Sequence, residues 1–330
     1  MTKKILVTGG AGYIGSFMVR ELKSKGFDPV ILDNLSYGHK ESVSDFRLEV
    51  IDLVTEKDKL SKLISSEKFD GVIHMAGFIQ MGESYRDPAK YYKNNVLGFM
   101  NLIDAMKENG LSNIVLSSSA GVYGNPERVP VKEDDIKNPL NPYGETKYAI
   151  ERMLEDYDTA YGIKFTSIRY FNAAGAALDG SIGEDHPEES HLIPSIIKAG
   201  LSGSEFTLFG DDYDTPDGTC VRDYIHVLDL VETHSKALEN LIGGAKSVFF
   251  NAGMGKGHSN KEIIKAVEEV TGMKINVKVL PKREGDANAL YADIGKIKSE
   301  LGWQPKYSVN DIVGSAYLWH KSHLSGYNDR

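Results

Sequence analysis

Short β-branched runs alternate with amphipathic stretches through the first half of the chain. The apolar runs are Lys4 to Thr8, Val30 to Asp33, Phe46 to Ile51, Gly71 to His74, Ile114 to Ser117 and Phe165 to Arg169. Each is too short for a stable helix and is bounded by turn-forming residues, and most are separated by a stretch of helical period. Apolar runs of this kind suit strands buried on both faces, with helices as the right-handed crossovers between parallel neighbours. The pattern predicts an α/β fold built on a doubly wound parallel sheet.

After Asn172 the alternation loosens. Gly, Asp and Pro cluster at residues 175–187 and 210–218, a composition that suits binding loops. Helical period returns at Ile193 to Leu201, Val227 to Leu241, Asn260 to Thr271 and Val309 to Ser322, and Val248 to Asn251 reads as a further strand. The expected organisation is a nucleotide-binding domain at 1–171 and a smaller, mixed α/β lobe at 172–330. The boundary is soft, and later segments can return to the first domain.

A length of 330 residues is ample for one elaborated α/β unit or two domains. Hydrophobic residues at 41% and charged residues at 26% are ordinary for a folded globular protein. The formal net charge of −9 argues against broad affinity for nucleic acid or anionic membranes, so an anionic ligand must be held locally. The opening MTKKILVTGG carries too short an apolar run for a signal-peptide core, and no apolar span of membrane-crossing length follows. A single cysteine, Cys220, has no internal disulfide partner. Together these features predict a cytoplasmic protein.

The segment Val7-Thr8-Gly9-Gly10-Ala11-Gly12-Tyr13-Ile14-Gly15 follows a predicted strand and opens a helix. In that context glycines allow a tight turn and close approach of a pyrophosphate, and the helix start supplies free N–H groups. The fold class is therefore Rossmann-type, with a GxxGxxG spacing. Asp33 ends the second strand 18 residues after Gly15, where a carboxylate accepts bonds from adenine-ribose hydroxyls and repels a 2′-phosphate. NAD is the expected cofactor. Asp52 and Asn94 are candidate cofactor contacts, and each is equally readable as a capping or strand-end residue.

Tyr143 and Lys147 share one helix face, where the cation can lower the phenol pKa and make a base usable near neutral pH. With 17 tyrosines in the chain a chance match is expected, and Tyr317 with Lys321 is one. Context separates them. Tyr143 follows a strand end carrying Ser117, Ser118 and Ser119, where ligands of parallel sheets bind, whereas Tyr317 lies beside Leu318 and Trp319 as a packing residue. Ser119 can hold the oxygen whose proton Tyr143 removes, or can act as a turn serine.

These stretches resemble the nucleotide-sugar 4-epimerases of the extended short-chain dehydrogenase/reductase family. The similarity runs from Lys4 to about Trp319, through Thr8 to Ser16, Asp33-Asn34-Leu35, Ala76-Gly77, Tyr91 to Val96, Arg169 to Asn172, Gly183-Glu184-Asp185, Leu192-Ile193-Pro194 and Asp217 to His226. The resemblance implies that Tyr143 is the base, Lys147 its cofactor-binding partner and Ser119 a substrate-binding serine. Around NAD it places Gly9, Gly12, Tyr13, Ile14, Gly15 and Asp33, then Asn34, Asp52 and Leu53 toward adenine. Ala76, Gly77, Asn94, Ser117 and Tyr170 join Tyr143 and Lys147 there. The substrate is implied to be a UDP-hexose, held by Ser119, Tyr143, Asn172, His191, Leu192, Phe209, Arg222, Tyr224, Arg283, Asp286 and Leu290. Two arginines would neutralise the diphosphate and Phe209 would stack on uracil.

The implied reaction is interconversion of UDP-galactose and UDP-glucose through a 4-ketose with tightly bound NAD, in a homodimer. Ile79, Gly121 and His191 depart from residues that some relatives carry. Alternatives are a 4-epimerase of UDP-N-acetylhexosamine, UDP-pentose or UDP-uronate, and a non-catalytic NAD-sensing protein. A 4,6-dehydratase is disfavoured because Ala120-Gly121 stands where its Asp-Glu pair would be. His186, His191 and the acids between them match no recognised metal-ligand spacing, so no metal is expected.

Overall fold

A computed structural model describes residues 2–283 and 286–328. Among them are the strands β1 (Lys4–Thr8), β2 (Asp28–Asp33), β3 (Arg47–Val50), β4 (Gly71–His74), β5 (Asn113–Ser119), β6 (Lys164–Tyr170), β7 (Asn172–Ala174), β8 (Glu205–Phe209), β9 (Val221–His226), β10 (Val248–Ala252), β11 (Gly257–Ser259), β12 (Asn276–Leu280) and β13 (Ala289–Leu290). The principal helices are α1 (Tyr13–Ser24), α2 (Lys57–Glu67), α3 (Met81–Arg86), α4 (Pro88–Tyr91), α5 (Gly98–Glu108), α6 (Pro142–Tyr161), α7 (Leu192–Ser202), α8 (Val227–Ile242), α9 (Asn260–Thr271), α10 (Gly295–Leu301) and α11 (Val309–Ser322).

Seven strands form a parallel sheet in the order β10-β6-β5-β4-β1-β2-β3. Its two faces divide the apolar runs by parity, because successive strand residues point to opposite sides. Ile5, Val7, Ile31 and Ile73 join one core with residues of α1 and α8, while Leu6, Val30, Leu32 and Val72 join another with α2, α5 and α6. Helices on both sides leave these strand residues essentially without exposure, which is why their sequences are apolar throughout.

The expected α/β class and doubly wound sheet are what the chain adopts. The strand reversal lies between β1 and β4, one leading outward through β2 and the other through β5, and the ligand crevice of such a sheet opens at that point. Val248 to Asn251 is a strand, and it returns from the second half of the chain to pair with β6.

The second half also builds smaller sheets. β9 is central to one, pairing with β7, β11 and β13. β8 pairs with β12. A third core of α7, α9 and α11 supports them. Asp223 anchors the junction: its carboxylate is buried and accepts bonds from the N–H groups of Met254 at 2.7 Å and of Gly255 and Ala292 at 3.1 Å each.

Candidate active site

The glycine loop is shaped by contacts that only hydrogen allows. Gly9 has φ +72, and a Cβ there would sit 2.6 Å from the Ala76 nitrogen. At Gly15 a Cβ would meet the Gly9 carbonyl oxygen at 2.1 Å. This packing brings the start of α1 against the strand ends, and the cap residue Gly12 offers no side chain to its N–H groups. An anionic diphosphate fits that terminus. Tyr13 and Ile14 line the same cleft, and the Tyr13 hydroxyl donates to the Gly175 carbonyl at 2.6 Å, tying the loop to the second half.

Beside it a smaller cavity is lined by Asp33, Asn34 and Leu53, expected at the adenosine end of NAD, together with Ala76, Gly77 and Asn94, expected elsewhere along the cofactor. Burial raises the Asp33 pKa, and N–H bonds from Leu35 at 2.8 Å and Ala11 at 3.0 Å oppose that. Each bond engages one carboxylate oxygen, which leaves lone pairs for ribose hydroxyls. Asp52 is placed differently. Its Oδ1 accepts from the N–H groups of Val54 and Thr55, and its Oδ2 accepts from the Asn34 amide at 2.8 Å. It caps the turn and steers Asn34 without lining the cavity.

The residues expected at the reactive end lie where β5 meets α6. Asn141 caps α6 through the Gly144 N–H at 2.8 Å and Pro142 opens its first turn, so Tyr143 stands on rigid backbone. Ser117, Ser119, Tyr143 and Tyr170 line one cleft with Gly9, Gly12 and Gly15. Ser119 Oγ accepts from the Gly121 N–H at 3.0 Å, so the turn role and the site role coexist in one side chain. Ser117 Oγ is buried with no aligned hydrogen-bond partner among the described residues.

Lys147 is buried and donates to the Ser117 carbonyl at 2.8 Å. Burial lowers its pKa to about 8, and the charge of Glu151 raises it in part. Tyr143 behaves otherwise than expected. Burial pushes the phenol well above its ordinary value, Tyr170 adds to this, and the Ser119 hydroxyl alone pulls it down. The lysine nitrogen is 6.0 Å from the centre of the Tyr143 ring. Helical spacing thus brings the cation near, but desolvation dominates in this state.

On the sugar side Asn172, His191, Arg222 and Leu290 line the same cleft. Strand register gathers them: Arg222 is opposite Leu290 and Asn172 opposite Tyr224. Arg222 donates to the Ala287 carbonyl at 2.7 Å and approaches Asp286 at 3.8 Å. Arg283 stacks on Phe209 with its guanidinium carbon 4.0 Å from the ring centre, forming a small cluster beyond the cleft. Tyr224 and Leu192 belong to the third core and do not line the cleft. Glu284 and Gly285 lie outside the described residues.

His191 Nδ1 is hydrogen-bonded to Glu184 Oε1. Burial works to lower its pKa, and the Glu184 and Glu189 carboxylates raise it to about 9. Tyr317 and Lys321 sit in α11, where Tyr317 packs on the third core. Cys220 is buried.

Two residues around the site were not singled out from sequence. Asn95 is buried and fixes the Gly77-Phe78 turn, accepting from the Phe78 N–H at 2.9 Å and donating to Thr146 at 3.1 Å. Glu151 accepts from Ser118 at 2.7 Å, Ser167 at 2.9 Å and Arg169 at 2.8 Å. The signal for Glu151 was present, since it continues the Tyr143, Lys147 stripe by four residues.

A model of the NAD dependent epimerase/dehydratase family matches residues 5–253. The UDP-glucose 4-epimerase of Lactobacillus helveticus is 47% identical over 329 residues, 99% of this chain and 100% of that one. Among solved structures, the UDP-glucose 4-epimerase of Brucella ovis in complex with NAD is 41% identical with TM-score 0.93, covering 96% of this chain and 98% of its own. That of Bifidobacterium longum, in complex with NAD+ and UDP, is 35% identical with TM-score 0.93, covering 98% and 100%. Likeness of sequence and of fold thus extends end to end, and the chain belongs to the NAD dependent epimerase/dehydratase family, in its UDP-glucose 4-epimerase branch.

Proposed function

We propose that the chain interconverts UDP-galactose and UDP-glucose by inverting C4 of the hexose, with residues 1–171 holding NAD and residues 172–330 holding the sugar nucleotide. The observation that carries this is the convergence of Ser119, Tyr143 and the glycine loop on one cleft, with Lys147 buried behind the serine strand.

Tyr143 removes the proton of the C4 hydroxyl and Ser119 holds the same oxygen by a hydrogen bond. NAD, when bound, supplies the acceptor that takes the C4 hydride and gives it back, and its ring charge favours the phenolate. Lys147 keeps Tyr143 and the strand end in register. The 4-ketose turns about its diphosphate and presents its other face, so one base serves both hydroxyl orientations. Arg222 and Arg283 neutralise the diphosphate, and Phe209 and Asp286 bound the uridine end. Leu290, of intermediate bulk and opposite Arg222 in register, favours plain hexoses over N-acetylated ones.

The reaction belongs to galactose metabolism and is carried out in the cytoplasm; no helix among the described residues is long and apolar enough to cross a membrane. A homodimer is supported by Tyr92, Leu97 and Met100, which stand 45%, 39% and 41% exposed around the start of α5. The test is incubation of purified protein with UDP-galactose, UDP-glucose and UDP-N-acetylglucosamine without added reductant, followed by NMR. Interconversion of the first two supports the proposal, and its absence overturns it.

A further inference from the structure

Four groups of metal-binding chemistry meet where the segment after Gly183 folds back toward α7. They are Glu184, His186, Glu189 and His191, whose ligand atoms all lie within 4.8 Å of one another. His186 Nδ1 is 3.3 Å from Glu184 Oε1 and 3.8 Å from Glu189 Oε1, and His191 Nδ1 is 3.8 Å from Glu189 Oε1. Ligands about 2.0–2.1 Å from a central ion stand roughly 3.3 Å apart at the corners of a tetrahedron. The pairs at 3.3 and 3.8 Å are near that size, whereas His191 and Glu184 are in direct hydrogen-bond contact, so an ion is seated when that bond opens and the two side chains part.

The surroundings hold the donors in place. The Trp319 ring N–H donates to the Glu184 carbonyl at 3.1 Å, which fixes the backbone behind the first carboxylate. The Lys198 ammonium approaches Glu189 Oε2 at 3.4 Å, leaving Oε1 toward the histidines. The side chains of Glu184 and Glu189 are only 3% and 10% exposed. With the Lys198 ammonium set against Glu189, these two shielded carboxylates and two imidazoles leave one negative charge, which the proton between His191 and Glu184 or a bound cation would balance. His186 and His191 also line the substrate cleft, which provides an entry path.

We propose that Glu184, His186, Glu189 and His191 form a site for a divalent transition metal of the zinc class at the sugar end of the cleft. Two imidazole nitrogens with two carboxylate oxygens suit a four-coordinate ion of borderline softness, whereas magnesium and calcium take six or more oxygens. The bound ion replaces the shared proton and locks the 184–191 segment against the cleft. In sequence the ligands fall at irregular intervals with no helix to align them, so only the folded segment brings them together.

The test uses the untagged full chain with Zn2+ and, as a spectroscopic substitute, Co2+. The expected result is one equivalent bound with Kd in the micromolar range or tighter, visible Co2+ bands of four-coordinate intensity, and a rise in thermal midpoint with Zn2+. His186→Asn and the near-isosteric Glu189→Gln should each weaken binding by about 10-fold or more, with far-UV circular dichroism confirming that both fold. Absence of saturable binding, a six-coordinate Co2+ spectrum, or binding untouched by both substitutions would overturn the site. Ion binding is read independently of turnover, so its failure is distinct from failure of the epimerase assignment.

Discussion

The Lys147 side-chain nitrogen lies 2.8 Å from the Ser117 carbonyl oxygen, inside the protein. This bond ties α6 to the end of β5 and so sets where Tyr143 stands relative to Ser119. Burial is the larger influence on the lysine and lowers its pKa to about 8. Between that value and the ordinary 10.5, the unfolded chain binds more protons than the folded one, so this group's contribution to stability rises as pH climbs through the window. Lys147→Met removes the effect. Urea unfolding at stepwise pH should show wild type gaining up to about 3 kcal/mol on the variant between pH 7 and 10; a constant difference would contradict the burial of the charge.

Removing the Tyr143 hydroxyl leaves the ring packed and takes away the proposed proton acceptor. Tyr143→Phe should lower kcat by ~10²–10⁴-fold with little change in KM. Steady-state kinetics with UDP-galactose reads both, and a loss confined to KM would assign the phenol to binding only.

Beneath the site, Arg169 and Glu151 form a buried pair at 2.8 Å, with side chains 3% and 1% exposed. Arg169 also donates to the Tyr123 hydroxyl and the Glu133 carbonyl, each at 2.9 Å. Breaking such a pair leaves an uncompensated charge in the interior. Glu151→Ala should cost about 3–5 kcal/mol in urea unfolding, and a loss below 1 kcal/mol would mean that water reaches the arginine.

The legible parts were those decided locally. Lys4–Thr8 and Gly71–His74 were readable to the residue because both faces of each strand are buried and each apolar run is bounded by a polar residue or a glycine. The helices Asn260–Thr271 and Val309–Ser322 were equally clear, each starting at a serine whose side chain caps the third residue onward. β9 was hidden because its run contains Arg222 and Asp223, whose charge is met by backbone N–H groups and carbonyls from distant segments. β12 was hidden because all five of its residues are exposed. Within the site, spacing marked Tyr143, Lys147 and the glycines. It could not weigh desolvation against the lysine's field at Tyr143, nor show that Asp52 is turned to its own turn. Arg222 meeting Asp286 and Arg283 covering Phe209 depend on loops whose course no local pattern sets.

In the proposed reading Asp33 carries the cofactor preference. Asp33→Ser removes the negative charge and one acceptor, and should weaken NAD binding by about 10–100-fold while narrowing the preference over NADP. Fluorescence titration of nucleotide-stripped protein with each dinucleotide checks it, and unchanged NAD affinity would remove Asp33 from the ribose site.

The central claim is that the C4 hydrogen leaves as hydride and returns to C4 inside one cleft, without passing through solvent. UDP-glucose carrying deuterium at C4, converted in ordinary water, tests this by mass spectrometry of the UDP-galactose formed. Retention of the deuterium at C4 is the predicted result. Its replacement by solvent hydrogen would contradict the account.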